Sequence, residues 1–166
     1  MKNIRKNIIN VINWGIIAIA AFCLAYSLIN LPYAKLDIFL LGLTLLALFL
    51  GAYSHIQLPR IKIHFSFVEI AIFYTLLEYG TEIAVLLGVI ESAFTSIMLR
   101  RKGVNFKTKT IFQNFATTVL TTFVTGIVTT FLFPASTNSK LYTDYTVLAE
   151  IIFLVCIVHF ILNSVL

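Results

Sequence analysis

Apolar runs of membrane-spanning length follow one another along the chain and are separated by short polar loops. A helix needs about 20 apolar residues to cross a hydrocarbon core about 30 Å thick. Six such segments are predicted, at residues 11–29, 36–53, 65–79, 82–99, 111–133 and 146–166. Together with their short loops they use nearly all of the 166 residues, of which 60% are hydrophobic and only 11% charged. The sequence therefore predicts one all-α polytopic membrane domain with six transmembrane helices, and leaves no room for a separate soluble domain.

Basic residues predict the orientation of these helices. Ten of the 12 Lys and Arg residues precede the first span or lie in the second and fourth loops, whereas Lys35 and Lys140 stand alone in the others. Loops rich in Lys and Arg stay on the cytoplasmic side, so both termini are expected in the cytoplasm. The last span runs to Leu166 without a polar or basic anchor, as expected for a domain excised from a longer protein.

Three ionisable side chains are predicted to lie at a common depth within the spans. Gly80 suits the tight turn between the third and fourth spans, and Glu69 and Glu91 lie eleven residues before and after it. That places both about 16 Å from the turn, and His159 reaches a comparable depth from the start of the sixth span. Because charges inside a membrane are costly, these residues predict a ligand or proton site. The alternative is that separate helix-to-helix hydrogen bonds satisfy each group.

Polar side chains of the last two spans have two interpretations. Gln113, Asn114 and Asn163 are predicted on the cytoplasmic side, where amides cross-link helices. Threonines of the fifth span recur at spacings of three and four and so form stripes along one helix. With Gly126 allowing close approach, the stripes indicate either helix packing or a polar face that lines a ligand site.

The fourth loop is strongly basic but lacks the interleaved aromatic residues of a nucleic-acid interface. Its side chains are predicted to contact anionic lipid headgroups and to fix the topology. They are Arg100, Arg101, Lys102, Lys107 and Lys109. The sequence carries no nucleophile with a base, no phosphate-binding glycine loop and no two-histidine metal motif. It therefore predicts neither an enzyme nor a metal or other cofactor.

The order of several short motifs is informative. Residues 64–69 (HFSFVE) form a Ser-Phe-Ser-like start with an acidic residue, residues 79–82 (YGTE) a turn, and Glu91 a second acid. Residues 109–114 (KTIFQN) and 159–164 (HFILNS) add a basic entry to a Leu-Phe-Asn-like motif and a Tyr-Phe-Leu-Asn-Thr-like ending. This order resembles the N-terminal six-helix membrane region of bacterial signalling proteins that continue into GGDEF or HD-GYP domains. Thr81 stands where that family has a proline in the turn.

The resemblance implies a sensory or anchoring domain of the bacterial inner membrane. Its last helix would relay a signal to a cytoplasmic output domain that makes or degrades cyclic di-GMP, chemistry for which this chain has no residues. The expected partners are the lipid bilayer, an unidentified small ligand or proton, the output domain and a second copy in a homodimer.

Two other functions are open. Six helices with both ends inside, and the pair Ala21 and Ala25, are also similar to the substrate-binding membrane components of energy-coupling-factor vitamin transporters. A packing or assembly subunit without a ligand is the third interpretation.

Overall fold

The computed structural model describes the backbone of residues 2–53, 56–57, 64–65, 68–101, 103, 108–133 and 145–165, and the side chains of 10–50, 68–101, 103, 108–133 and 149–164. Six α-helices dominate this part of the chain. They are α1 (Lys2–Ile29), α2 (Ile38–Tyr53), α3 (Val68–Glu78), α4 (Thr81–Arg101), α5 (Thr108–Leu132) and α6 (Tyr145–Val165). A short 3-10 helix, Tyr33–Lys35, precedes α2.

Within the part of the chain that the structure describes, three helices are long and apolar enough to cross a membrane. They are α1 over Asn10–Ile29, α4 and α5, while α2 and α6 carry the shorter apolar stretches Ile38–Leu50 and Ala149–Ser164. Many large apolar side chains point outward, among them Phe22 at 73% and Phe131 at 82% exposure. Such a surface is expected where lipid rather than water covers the protein. The six-span count of the sequence analysis stays a prediction.

The start of the third predicted span is wrong. Residues 65–79 were expected to form one helix, but His64–Phe65 is a short strand, β2, which pairs antiparallel with β1 (Ile56–Gln57). Helix α3 begins at Val68 and has 11 residues. At 1.5 Å per residue it is about 16 Å long, roughly half the thickness of the hydrocarbon layer.

The reversal between α3 and α4 occurs at Gly80, as the sequence predicts. Gly80 has φ +101°, a left-handed conformation that glycine adopts without steric cost. The N–H groups of Tyr79 and Gly80 both donate to the carbonyl of Thr75 and so close α3, and the N–H of Ala84 donates to the Gly80 carbonyl at the start of α4. The two helices therefore form a tight hairpin.

Helix α4 is the centre of the bundle and contacts α1, α2, α3 and α5. Its closest approach is to α5, where a Cβ added at Gly126 would lie 2.8 Å from Cβ of Thr81, and one at Gly88 would lie 2.9 Å from Cγ2 of Thr118. These glycines let two helix backbones pack directly together. The close approach expected of Gly126 is confirmed.

The flanking helices cover this pair from two sides. Helix α1 packs on α4 and α5 through Ala20 and Cys23. Helix α6 packs mainly on α5 and inserts Ile151 and Val155 beside Leu76 of α3 and Ala84 of α4. The ends of α4 and α6 furthest from the α3–α4 turn are thereby brought close to the start of α5.

Candidate functional site

A polar cavity of about 510 Å³ lies where the second half of α4 meets the start of α5 and the end of α6. Its lining carries one carboxylate, three side-chain amides and several hydroxyls. The lining residues are Glu91, Ser92, Thr95, Ser96, Leu99, Ile111, Gln113, Asn114, Thr117, Thr118 and Asn163. This predominantly polar surface lies within otherwise apolar helices, so we take it as the candidate functional site and call it the polar cavity.

Glu91 is the acidic group of the polar cavity. Its side chain is half-buried, and its Oε1 accepts a 2.7 Å hydrogen bond from the Oγ1 of Thr95 one turn further along α4. A side-chain pair at this spacing lies on one face of a helix. Ser92 and Ser96 are buried on the same helix and add two hydroxyls to the lining. Helix α4 therefore presents a carboxylate held in place beside several hydroxyls.

The three amides proposed from the sequence as helix cross-links all line the polar cavity. Gln113 and Asn114 come from the start of α5, and Asn163 comes from the end of α6. An amide offers both a carbonyl acceptor and two N–H donors. Asn163 is the residue through which α6 reaches this cavity.

Glu69 lies beside the polar cavity and does not line it. It occupies the first turn of α3, half-buried, and its carboxylate interacts electrostatically with that of Glu91. The thiol of Cys156 on α6 lies within electrostatic range of the same carboxylate. The structure thus brings together the two glutamates that the sequence placed at equal distances from Gly80.

His159 is buried on α6 and meets α3 through an aromatic contact. Its ring packs edge-on against Phe73, with centroids 5.0 Å apart and planes at 82°. Phe73 is one turn after Glu69, so the ring contact places His159 against the part of α3 that carries Glu69. Nδ1 of His159 has no hydrogen-bond partner in the described part of the chain. The three predicted residues lie in one region, but a direct bond from this nitrogen to either carboxylate is not among their contacts.

The basic residues of the fourth loop divide into several environments. Arg100 and Arg101 form the exposed last turn of α4, so the loop is shorter than predicted. Lys109 lies in the first turn of α5, and its Nζ donates a 2.6 Å hydrogen bond to Oδ1 of Asn10 on α1. Lys102 and Lys107 lie outside the described residues. Lipid contact of this group stays a prediction, and Lys109 has a structural role besides.

A second cavity, of about 490 Å³, lies at the opposite end of the α4–α5 pair, around the α3–α4 turn. It is called the turn cavity here. Its lining includes Asn30, Lys35, Glu78, Glu82, Thr129 and Thr130. This cavity was not predicted from the sequence. The sequence feature that could have indicated it is the pair Glu78 and Glu82 on either side of Gly80, together with Lys35 in the first loop.

The polar cavity has the chemistry of a binding site. A carboxylate favours a cationic group, and amides and hydroxyls can donate to or accept from a polar ligand. Its described lining includes no Lys, Arg or His that would oppose a cation. Among the residues whose side chains are described, no three His, Cys, Asp or Glu are grouped so that they could hold a metal ion.

No protein-family model matches the chain, and neither a curated protein nor a solved structure shows significant similarity to it.

Proposed function

We propose that the chain is a membrane-embedded sensory domain that binds a small polar ligand with a cationic group in the polar cavity. The observation that carries the proposal is that three helices share this cavity. Glu91 comes from α4, Asn114 from α5 and Asn163 from α6. A ligand bonded to all three would fix α6 relative to the α4–α5 pair.

Helix α6 is suited to move in response. It is attached mainly to α5, whereas α4 is held on several sides, and a ligand shifts a two-state equilibrium only if it binds the two states differently. A ligand bonded to Asn163 would give α6 an additional contact with the α4–α5 pair. The last helix would then carry the signal out of the membrane domain.

The output is proposed from the sequence resemblance alone. In that reading the chain crosses the bacterial inner membrane six times with both termini in the cytoplasm, and α6 acts on a cytoplasmic domain that turns over cyclic di-GMP. The polar cavity would then face the cytoplasmic half of the membrane, because the basic fourth loop lies at its end.

Thermal unfolding of the purified chain in detergent tests ligand binding. The probes are small primary and quaternary amines, with neutral alcohols of the same size as controls. A ligand at about 100 times its Kd stabilises the folded state by about 2.7 kcal/mol, so an amine that binds raises Tm. The rise should be lost in Glu91→Gln and retained in Glu78→Gln, whose carboxylate lines the turn cavity. Equal stabilisation of both variants would contradict the proposal.

The relay is tested by a distance measurement. Spin labels at Phe112→Cys on α5 and Ile161→Cys on α6 occupy exposed positions near the polar cavity, in a background where Cys23 and Cys156 are replaced by alanine. The stabilising amine should change the distance distribution between them. If the amine binds but the distance distribution between the labels does not change, the chain binds a ligand without relaying a signal through α6.

The second candidate is the substrate-binding membrane component of a transporter. The turn cavity favours it, because cavities at both ends of one helix pair are what a transport route requires. Between the two cavities, α4 and α5 pack closely where Gly88 faces Thr118. A solute could pass from one cavity to the other only if these two helices separated. Counterflow of the stabilising amine into liposomes would support transport, and its absence would favour sensing.

A further inference from the structure

Among the residues whose side chains the structure describes, three buried hydroxyls have no hydrogen-bond partner. They belong to Ser27 of α1 and to Thr122 and Thr125 of α5, each 1% exposed. Helical threonines usually satisfy their hydroxyl on a carbonyl of the preceding turn. Thr121, equally buried, donates to the Thr118 carbonyl, and Thr129 donates to the Thr125 carbonyl. The unpartnered groups therefore differ from their neighbours on the same helix.

Two of these hydroxyls lie between the two cavities. Thr118, Thr122, Thr125 and Thr129 follow at spacings of four, three and four, so they share one face of α5. Thr118 lines the polar cavity and Thr129 lines the turn cavity. The eleven residues from Thr118 to Thr129 correspond to about 16 Å along the helix axis. These four threonines therefore lie on the face of α5 that runs from one cavity to the other.

A hydroxyl buried without a partner loses its hydration at a substantial cost in free energy. Buried polar groups of this kind are normally satisfied by internal water. Where Gly88 of α4 faces Thr118 of α5, a methyl group added to the glycine would come within 2.9 Å of Cγ2 of Thr118, so a larger solute cannot pass there unless the helices separate. Water is the smallest molecule that can both donate to and accept from these hydroxyls.

We propose that water molecules bonded to Thr122 and Thr125 complete a proton path between the polar cavity and the turn cavity. A proton enters on a carboxylate at one end, passes between water and hydroxyl oxygens as O–H bonds are exchanged, and leaves at the other end. The transmembrane proton gradient drives the net movement, and no other bond is made or broken. The path shares Glu91 with the proposed ligand site, but its relay residues Thr122 and Thr125 do not line that site, so proton flux can be tested without a ligand.

Carboxylates are present at both ends of this path. Glu91 lies in the polar cavity, with Glu69 in electrostatic range. Glu78 and Glu82 lie in the turn cavity together with Lys35. Carboxylates can load and release protons, whereas hydroxyls can only pass them on, because a hydroxyl both donates and accepts. Carboxylates therefore lie at both ends of the path, and hydroxyl groups that can pass a proton on lie between them.

Proton flux into liposomes tests the path. The purified chain is reconstituted with a pH-sensitive dye inside, and a potassium diffusion potential is imposed with valinomycin. Wild-type liposomes should acidify faster than protein-free ones. The double variant Thr122→Val and Thr125→Val keeps side-chain shape but removes both hydroxyls, and should lower the flux by roughly tenfold. Thr121→Val is the matched control and should conduct like wild type.

Two results would overturn the proposal. The first is wild-type flux equal to that of protein-free liposomes, and the second is a valine double variant that conducts like wild type. A melting curve in detergent checks that each variant is folded. If the double variant does not fold, the single variants take its place. Thr122→Val and Thr125→Val are each expected to lower the flux, and wild-type flux in both would contradict the path.

Discussion

The hydroxyl of Tyr79 donates to both carboxylate oxygens of Asp37, at 3.0 Å to Oδ1 and 3.2 Å to Oδ2. Asp37 also accepts a 2.8 Å hydrogen bond from the N–H of Leu40 and so caps the start of α2. Side-chain oxygens in this position satisfy N–H groups that a helix leaves open. One carboxylate therefore joins the beginning of α2 to the α3–α4 turn beside the turn cavity.

Tyr79→Phe is expected to lower the free energy of unfolding by roughly 1.5–3 kcal/mol, because the lost hydrogen bond is to a carboxylate and such bonds are stronger than neutral ones. The ring itself is buried and its packing is kept. Thermal unfolding in detergent measures the loss. The control is Tyr33→Phe, at an exposed ring, which should match wild type, and an equal loss in the two variants would contradict a specific role for Asp37.

The same contact predicts a pH dependence. Burial, followed by the hydrogen bond to Asp37, raises the pKa of Tyr79 to about 12, above the value of about 10 for an unfolded tyrosine. The native state therefore favours the protonated phenol. Its stabilisation is fully present below pH 10 and is lost as the pH rises through 12. Ultraviolet titrations of wild type and Tyr79→Phe are compared, and the difference between the two curves gives the ionisation of Tyr79. Tyr79 should ionise after the other tyrosines, and a midpoint near pH 10 for the difference curve would contradict the account.

Gly126→Ala is expected to destabilise the bundle by about 1–3 kcal/mol, the usual cost of overpacking. The new methyl group would meet the Cβ and Cγ2 of Thr81 on α4, and the β-carbon of a helical residue cannot rotate away. Gly15→Ala is the control, since nothing lies within 4 Å of its Cβ. A drop in Tm for Gly126→Ala alone is the expected result, and equal melting curves would show that α4 and α5 are not closely packed.

Lys109→Met should weaken the attachment of α1 to α5, because it removes the 2.6 Å bond to Asn10. A double-mutant cycle with Asn10→Leu measures the pair directly and should give a coupling energy of about 1 kcal/mol. Arg101→Gln removes a charge from the exposed end of α4 and serves as the control for headgroup binding. Additive effects of Lys109→Met and Asn10→Leu would contradict a stabilising bond between the two side chains.

The sequence predicted local features well and distant ones poorly. Glu69 and Glu91 could be paired because both were counted from a single turn, and Gly80 marked that turn. The bond from Tyr79 to Asp37 joins residues 42 positions apart, and no periodicity specifies such a contact. The β1–β2 pair was missed because Phe65, in the second strand, reads as the first apolar residue of the helix that follows. The cavities escaped notice because each depends on how several helices are arranged.

Access to the polar cavity from water tests the central claim most directly. Ser96→Cys places a thiol at a buried residue of its lining, whereas Ile97→Cys places one on the exposed apolar surface beside it. Both are made in a chain whose Cys23 and Cys156 are replaced by alanine, reconstituted in membranes and treated with a charged thiosulfonate from one side at a time. The account predicts that the thiol at position 96 reacts from the side of the basic loop only, and that the thiol at 97 stays unreactive. No reaction at 96, or equal reaction at both positions, would contradict a water-accessible site between α4, α5 and α6.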